Sequence, residues 1–123
     1  MSIEIIGSRE KAIAIVEVKA NEEKEKIVEK ILKNNKNVVT ILNKISGREE
    51  ELRLRDYEVL YGKETEVIHK ECGLKFKVDV TKVYFSSRES TERRRLVNLV
   101  EDNEKILVMF SGVCPLAITL AKN

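Results

Sequence analysis

Tryptophan and glutamine are absent from this chain, and proline and histidine occur once each, at Pro115 and His69. One proline leaves no proline-rich linker, and the absence of repeats and low-complexity tracts leaves nothing that reads as a flexible tether. Aromatic residues make up only 5% of the 123 residues. The cysteines number two, Cys72 and Cys114, far apart and in no metal-ligand spacing. They read as reduced thiols of a cytoplasmic protein, and no metal site is expected. No apolar run approaches the roughly 18 residues that span a bilayer, and the first residues lack a signal-peptide pattern. With 23 basic and 21 acidic residues the formal net charge is +2, too small to announce nucleic acid by itself. What is present is 42% hydrophobic and 36% charged residues, the composition of an ordinary globular domain, with a Lys, Glu and Ile bias compatible with a thermophilic source.

The amino-terminal third alternates element types. "IEIIG" and "KAIAIVEV" are short β-rich runs separated by Gly7-Ser8. In "NEEKEKIVEKILKNN" Asn21 is the expected cap, acidic residues fill the first turn, and Ile27, Val28, Ile31 and Leu32 make one apolar stripe. "NVVTIL" reads as the next strand, so the order implies a helix laid on a small sheet. In "ELRLRDYEVLYG" Leu52 and Leu54 alternate with Arg53 and Arg55, the period of a half-buried strand. "EVIHKECG" and "LKFKVDV" read as two strands meeting at Gly73. "TKVYFSSRESTERRRLVNLVED" changes from strand to helix near Ser86, where Ser86 and Glu89 have capping-box spacing and Leu96, Val97 and Val100 supply the stripe. A final strand, "KILVMF", leads into the loop "SGVCP" and the helix "PLAITLA".

Three places hold residues suited to chemistry. Residues 83–95 carry Arg88, Arg93, Arg94 and Arg95 beside Tyr84 and Phe85, a combination that holds phosphates and stacks on a base, or else forms a solvated amphipathic helix. The two arginines of "LRLR" read first as surface decoration, and His69, without a second ligand or a serine–acid partnership, reads as structural. The loop "FSGVCP" follows an apolar run, as glycine-bearing turns do where backbone must approach a cofactor, but it holds a single glycine, Gly112.

The order of these pieces carries more than any one of them. "IHKECGLKFKVDVTKVYFSSRESTERRRLVNLV" followed by "ILVMFSGVCPLAI" closely resembles the archaeal and eukaryotic-type tRNA (guanine-37-N1)-methyltransferase family, whose members read roughly IHKE-G-F-VD--KVYFSPR---ER and then VVDMFAGVGPF. The resemblance covers residues 53–122, and the amino-terminal portion fits the small domain that precedes catalysis in that family. It implies an α+β chain: a small α/β domain with a β-rich connector over residues 1–85, then the first strand, loop and helix of a Rossmann-like class I methyltransferase domain over residues 86–123. It implies tRNA as partner and S-adenosylmethionine as the cofactor of the complete enzyme. Position by position, Arg53 matches an arginine at the target guanine, Tyr84, Arg88 and Arg93 match residues around the nucleoside pocket, and Glu92 matches the proposed general base. Phe110, Ser111, Gly112, Val113 and Pro115 match the cofactor loop. A carboxylate suits the reaction, because guanine N1 is protonated at neutral pH and must lose that proton as it attacks.

Two positions depart from the family's pattern. Val108 stands where an aspartate is usual, and Cys114 where the second glycine is usual, which removes a charge and adds bulk beside the ligand. Both weigh against cofactor binding by this chain alone. The acidic strand end that binds the cofactor ribose and the Asn-Leu-Pro-type motif of the guanine site are expected beyond residue 123. The reading is therefore the front part of such an enzyme, inactive in isolation, whether separated in the gene, by a split gene or experimentally. Its apolar terminal segment, residues 105–122, is expected to be shielded by a second chain bearing the rest of the domain or by self-association. The alternatives are a fragment of the related wyosine-pathway aminocarboxypropyl transferase and a non-catalytic RNA-binding remnant.

Overall fold

The computed structural model describes residues 2–45 and 56–122. The strand reading of Leu52, Arg53, Leu54 and Arg55 lies outside them. Four strands form one sheet in the order of the chain: β1 (Ser2–Gly7), β2 (Ala12–Glu17), β3 (Val38–Lys44) and β4 (Tyr57–Tyr61). β1 and β2 are an antiparallel hairpin, β3 runs parallel to β2 after the crossover helix α1 (Lys24–Asn34), and β4 returns antiparallel to β3. Strands β5 (Glu66–Glu71) and β6 (Leu74–Asp79) make a second, two-stranded sheet.

The central strand explains the layering. "AIAIV" in β2 is buried along its whole length, and its alternation sorts by size rather than polarity. Ala12, Ala14 and Val16 face α1, packing with Ile27, Ile31, Val38 and Ile41. Ile13 and Ile15 face the other way, into a core with Leu42, Val67, Phe76, Val78 and Phe85. Small residues let the helix approach closely, and the larger ones fill the gap between the two sheets. The helix stripe is as its spacing implies: Ile27 and Ile31 are buried, with Val28 and Leu32 packed beside them. Each fully buried isoleucine is worth about 1.5–3 kcal/mol of burial.

Two turns require glycine or its equivalent. Gly7 (φ +140°) closes the first hairpin, where a Cβ would stand 2.4 Å from the Lys11 carbonyl oxygen. Cys72 (φ +50°) and Gly73 (φ +74°) are the two loop residues between paired Glu71 and Leu74. Left-handed conformations at both define a type I′ turn, whose twist matches the strands.

Three local expectations are corrected. Asn21 does not cap α1, which begins at Lys24 with Glu23 in the cap position. The chain has already turned there, with the Glu22 N–H on the Lys19 carbonyl (3.0 Å) and the Lys19 N–H on the Glu22 carboxylate (2.9 Å). The strand through "TKVYF" ends at Asp79, because that carboxylate accepts both the Thr81 N–H (3.0 Å) and the Thr81 hydroxyl (2.6 Å) and bends the chain. "KILVMF" forms no strand, since no described strand lies beside it to complete a ladder. Among the described residues no helix is long and apolar enough to cross a membrane.

Candidate functional site

After the Asp79 turn the chain crosses the second sheet and Phe85 drops into the core, edge-on to His69 at 4.9 Å and tilted against Phe76 at 5.9 Å. A 3-10 turn over Ser87–Glu89 then leads into α2 (Ser90–Val97). The capping box does not form: the Ser86 hydroxyl makes no cap bond and donates instead to the Glu4 carboxylate of β1, 3.0 Å away. Leu96, Val97 and Val100 are half-buried, and the buried residue of α2 is Arg93.

Arg93 is 3% exposed. Its Nε and Nη2 donate to the two oxygens of Glu71 at 2.6 and 2.7 Å, Nη2 also donates to the Ser86 carbonyl at 3.0 Å, and the guanidinium carbon lies 5.4 Å above the Phe85 ring. Burial pushes the Glu71 carboxyl up, but the Arg93 hydrogen bonds and charge, with the His69 contact, outweigh it and hold the group below its ordinary 4.5. Behind this pair His69 accepts the Gly7 N–H at Nδ1 (3.0 Å) and faces Glu71 through Nε2 (3.4 Å). A neutral ring with its proton on Nε2 satisfies both contacts. Both ring nitrogens of His69 therefore have partners within the fold.

Past α2 the chain returns through residues 105–110 to a loop and helix α3 (Pro115–Lys122), which packs on α2. Phe110 (φ +52°), Gly112 (φ +56°) and Cys114 (φ +64°) all take the left-handed conformation. Two of those three pay a side-chain penalty that glycine avoids. The loop closes on itself through the Cys114 N–H to the Ser111 carbonyl at 2.8 Å.

Between this loop and α2 lies a cleft of about 860 Å³, on the scale of small-molecule sites. Tyr84, Glu92 and Arg93 line one wall, and Phe110, Ser111, Gly112 and Pro115 the other. Seven of the ten candidate site residues are thus brought together, and of the nine that the structure describes two are not. Val113 packs at the edge of the core between the sheets. Arg88 turns away, its Nη2 donating to the Ser2 hydroxyl (2.5 Å) and the Ile3 carbonyl (3.2 Å) of β1. Arg53 lies outside the described residues. Glu92 is paired with Arg95, whose Nη2 and Nε donate at 2.6 and 2.8 Å, and these bonds hold its carboxyl below 4.5. Sequence reasoning missed Glu71 and Glu4. Glu71 was visible inside "IHKE", whereas nothing local distinguishes Glu4 from a surface carboxylate. Among the described residues no group of three His, Cys, Asp or Glu side chains is placed to hold a metal ion.

The fold and the cleft define a small α/β module joined to the opening loop and helix of a methyltransferase-type domain. Residues 4–65 match the TYW2 N-terminal domain and residues 67–123 the TRM5/TYW2 methyltransferase domain. The chain belongs to the TRM5/TYW2 family. It is 47% identical over 124 residues to the tRNA (guanine(37)-N(1))/4-demethylwyosine(37)-methyltransferase Taw22 of Nanoarchaeum equitans, a match covering all of this chain and 40% of that protein. It is 36% identical over 119 residues to the tRNA(Phe) (4-demethylwyosine(37)-C(7)) aminocarboxypropyltransferase of Methanocaldococcus jannaschii, covering 95% of this chain and 47% of that one. Among solved structures, Trm5b from Pyrococcus abyssi superposes with a TM-score of 0.82 at 39% identity, covering 99% of this chain and 37% of its own. The complex of aTrm5 with tRNALeu gives 0.81 at 29%, covering 98% and 36%. P. horikoshii TYW2 bound to MeSAdo gives 0.65 at 28%, covering 98% and 40%. The chain thus spans less than half the length of these relatives.

Proposed function

We propose that this chain supplies the tRNA-recognising module and one side of the active site of an S-adenosylmethionine-dependent enzyme that methylates N1 of guanosine 37. The observation that supports it most is the cleft itself, where Tyr84 and Glu92 of the "KVYFS-R---ER" segment face Phe110, Ser111 and Gly112 of the "MFSGVCP" loop. The loop suits an adenosine-bearing cofactor. At Gly112 no heavy atom lies within 4 Å of where a Cβ would stand, so a ligand has room to meet the backbone. Phe110, Ser111, Gly112 and Pro115 would hold it, with Val113 anchoring the loop to the core. When bound, S-adenosylmethionine supplies an electrophilic methyl group.

The chain's own residues do the rest. Glu92 is ionised at neutral pH and accepts the N1 proton of guanine. Tyr84 borders the space for the base, and Arg53 is assigned to the guanine by resemblance. Arg93 holds the wall together through Nε and Nη2, which donate to Glu71 and Ser86, and resemblance assigns the same residue to the nucleoside pocket. The opposing wall of the guanine site comes from outside these residues, and the exposed segment 106–110 is the surface on which a second chain or another copy would pack. Because positioning supplies much of an enzyme's rate, the chain alone transfers no methyl group above background.

The second reading is aminocarboxypropyl transfer, supported by the match of residues 4–65 to the TYW2 N-terminal domain. One experiment separates the two. Residues 1–122 replace the matching stretch of the Pyrococcus abyssi Trm5b enzyme, and the chimera is incubated with unmodified tRNA and labelled cofactor. A methyl group on N1 of guanosine 37, mapped by nuclease digestion and mass spectrometry, is the expected result. An aminocarboxypropyl adduct would establish the second reading. A folded, tRNA-binding chimera that transfers neither group, or multiple turnovers by the 123-residue chain alone, would overturn the proposal.

A further inference from the structure

Ser86 lies in the wall of the cleft and is held from two sides. Its hydroxyl donates to Glu4 at 3.0 Å, and its carbonyl accepts from Arg93 at 3.0 Å. Arg93 is in turn seated on Glu71 of β5. Glu4 belongs to β1, whose inward positions otherwise feed the core with Ile6, so a carboxylate there occupies a place where an apolar side chain would be the cheaper choice. It is only 6% exposed. The same oxygen, Oε1, accepts three hydrogen bonds: from the Ser86 hydroxyl, from the Ser87 backbone N–H at 2.9 Å and from the Ser87 hydroxyl at 3.2 Å. Arg88 adds a second tie to the same strand through Ser2 and Ile3.

We propose that Glu4 is a positioning residue for the reaction: it fixes residues 86–88 at the entry to α2, and so sets where Glu92 stands in the cleft. The proposal rests on the reading of Glu92 as base. The Glu4 latch joins the four-stranded sheet to the wall of the site across more than eighty residues of sequence. A carboxylate is suited to this because one oxygen can receive a backbone N–H and two hydroxyls together, which no apolar residue can do. Releasing such a latch lets the wall shift, and a misplacement of 1 Å can cost about 10²-fold in rate.

The first arm of the test uses the 123-residue chain itself. Amide hydrogen exchange is compared for the parent, Glu4→Gln, which keeps an accepting oxygen, and Glu4→Ala. We expect Glu4→Ala to lose about tenfold or more of the protection at Ser87 and through α2, with β2 and the β5–β6 hairpin retained, and Glu4→Gln to keep most of it. Loss spread evenly over the chain, or unchanged α2 amides, would overturn the proposal. The second arm is a double-mutant cycle in the Pyrococcus chimera. Glu4→Ala should lower kcat with little change in KM for tRNA, and should add little once Glu92→Gln is present. An equal loss in both backgrounds would show that Glu4 does not act through Glu92. Should Glu92→Gln leave turnover intact, it is the assignment of the base that fails, while the exchange arm still decides whether Glu4 holds the helix.

Discussion

Arg93 rests on Glu71 with two parallel hydrogen bonds of 2.6 and 2.7 Å, and both side chains are only 4% exposed. A buried ion pair of this kind is weak evidence of net stabilisation, but removing one member strands the other's charge. Arg93→Met should therefore cost about 3–5 kcal/mol in urea unfolding, with Glu71→Leu/Arg93→Leu recovering much of the loss. The pair also leaves a signature in pH. Because the folded carboxyl titrates below 4.5, the unfolded chain binds more protons as the medium is acidified. Glu71 thus contributes stability above that pH and loses it as pH falls through the folded value. Stability measured from pH 7 downward should fall less steeply in the acid range for Glu71→Gln than for the parent.

Glu92 should behave as a base whose readiness is set by Arg95. In the chimeric enzyme Glu92→Gln should lower turnover about 10²–10⁴-fold with little loss of tRNA binding. Arg95→Met removes the hydrogen bonds that hold the carboxyl below 4.5, so that pKa rises toward its ordinary value. Since the deprotonated form is the active one, the acid limb of the rate profile should move to higher pH. An unmoved limb would mean that another group sets it.

Cys114 sits at φ +64°, where glycine carries no Cβ penalty. Cys114→Gly should stabilise the chain by about 0.5–1 kcal/mol in thermal melts, the relief of the left-handed side chain exceeding the entropy glycine adds to the unfolded state. It should also raise affinity for S-adenosylmethionine in a calorimetric titration of the chimera, since the same change removes bulk beside the loop.

Leu107 is 83% exposed and Phe110 98% exposed, with Ile106 and Met109 beside them also open to solvent. Contiguous exposed apolar strips generally mark interaction sites or aggregation liabilities, and the proposed packing of this one can be measured. Size-exclusion chromatography with light scattering should show the chain associating as its concentration rises, and Leu107→Ser/Phe110→Ser should be more monomeric. A parent chain that remains cleanly monomeric at every concentration would show that the strip needs no cover.

Much of this architecture was legible in the residues themselves. Short β-rich runs bounded by glycine located β1, β5 and β6, and the stripe from Ile27 to Leu32 located α1, because these patterns arise from local geometry repeated along one element. The cleft residues Tyr84, Glu92 and Gly112 were assigned to a site only through the resemblance of their motifs to a family, and the structure places all three along one cleft. Where local signals failed, a partner distant in the chain had taken the group concerned. Ser86 has the spacing of a cap, yet its hydroxyl goes to Glu4. Nothing near Arg88 or Arg93 in sequence signals that one ties to β1 and the other sits on Glu71. "KILVMF" has the composition of a strand, but a strand also needs a neighbour to complete its hydrogen bonds. Pattern along the chain determined which elements form and which face of each is apolar, since both depend on residues a few positions apart. Only the packed structure decided which polar groups serve the cleft and which hold it together, because a hydrogen bond goes to whatever partner folding brings within 3 Å.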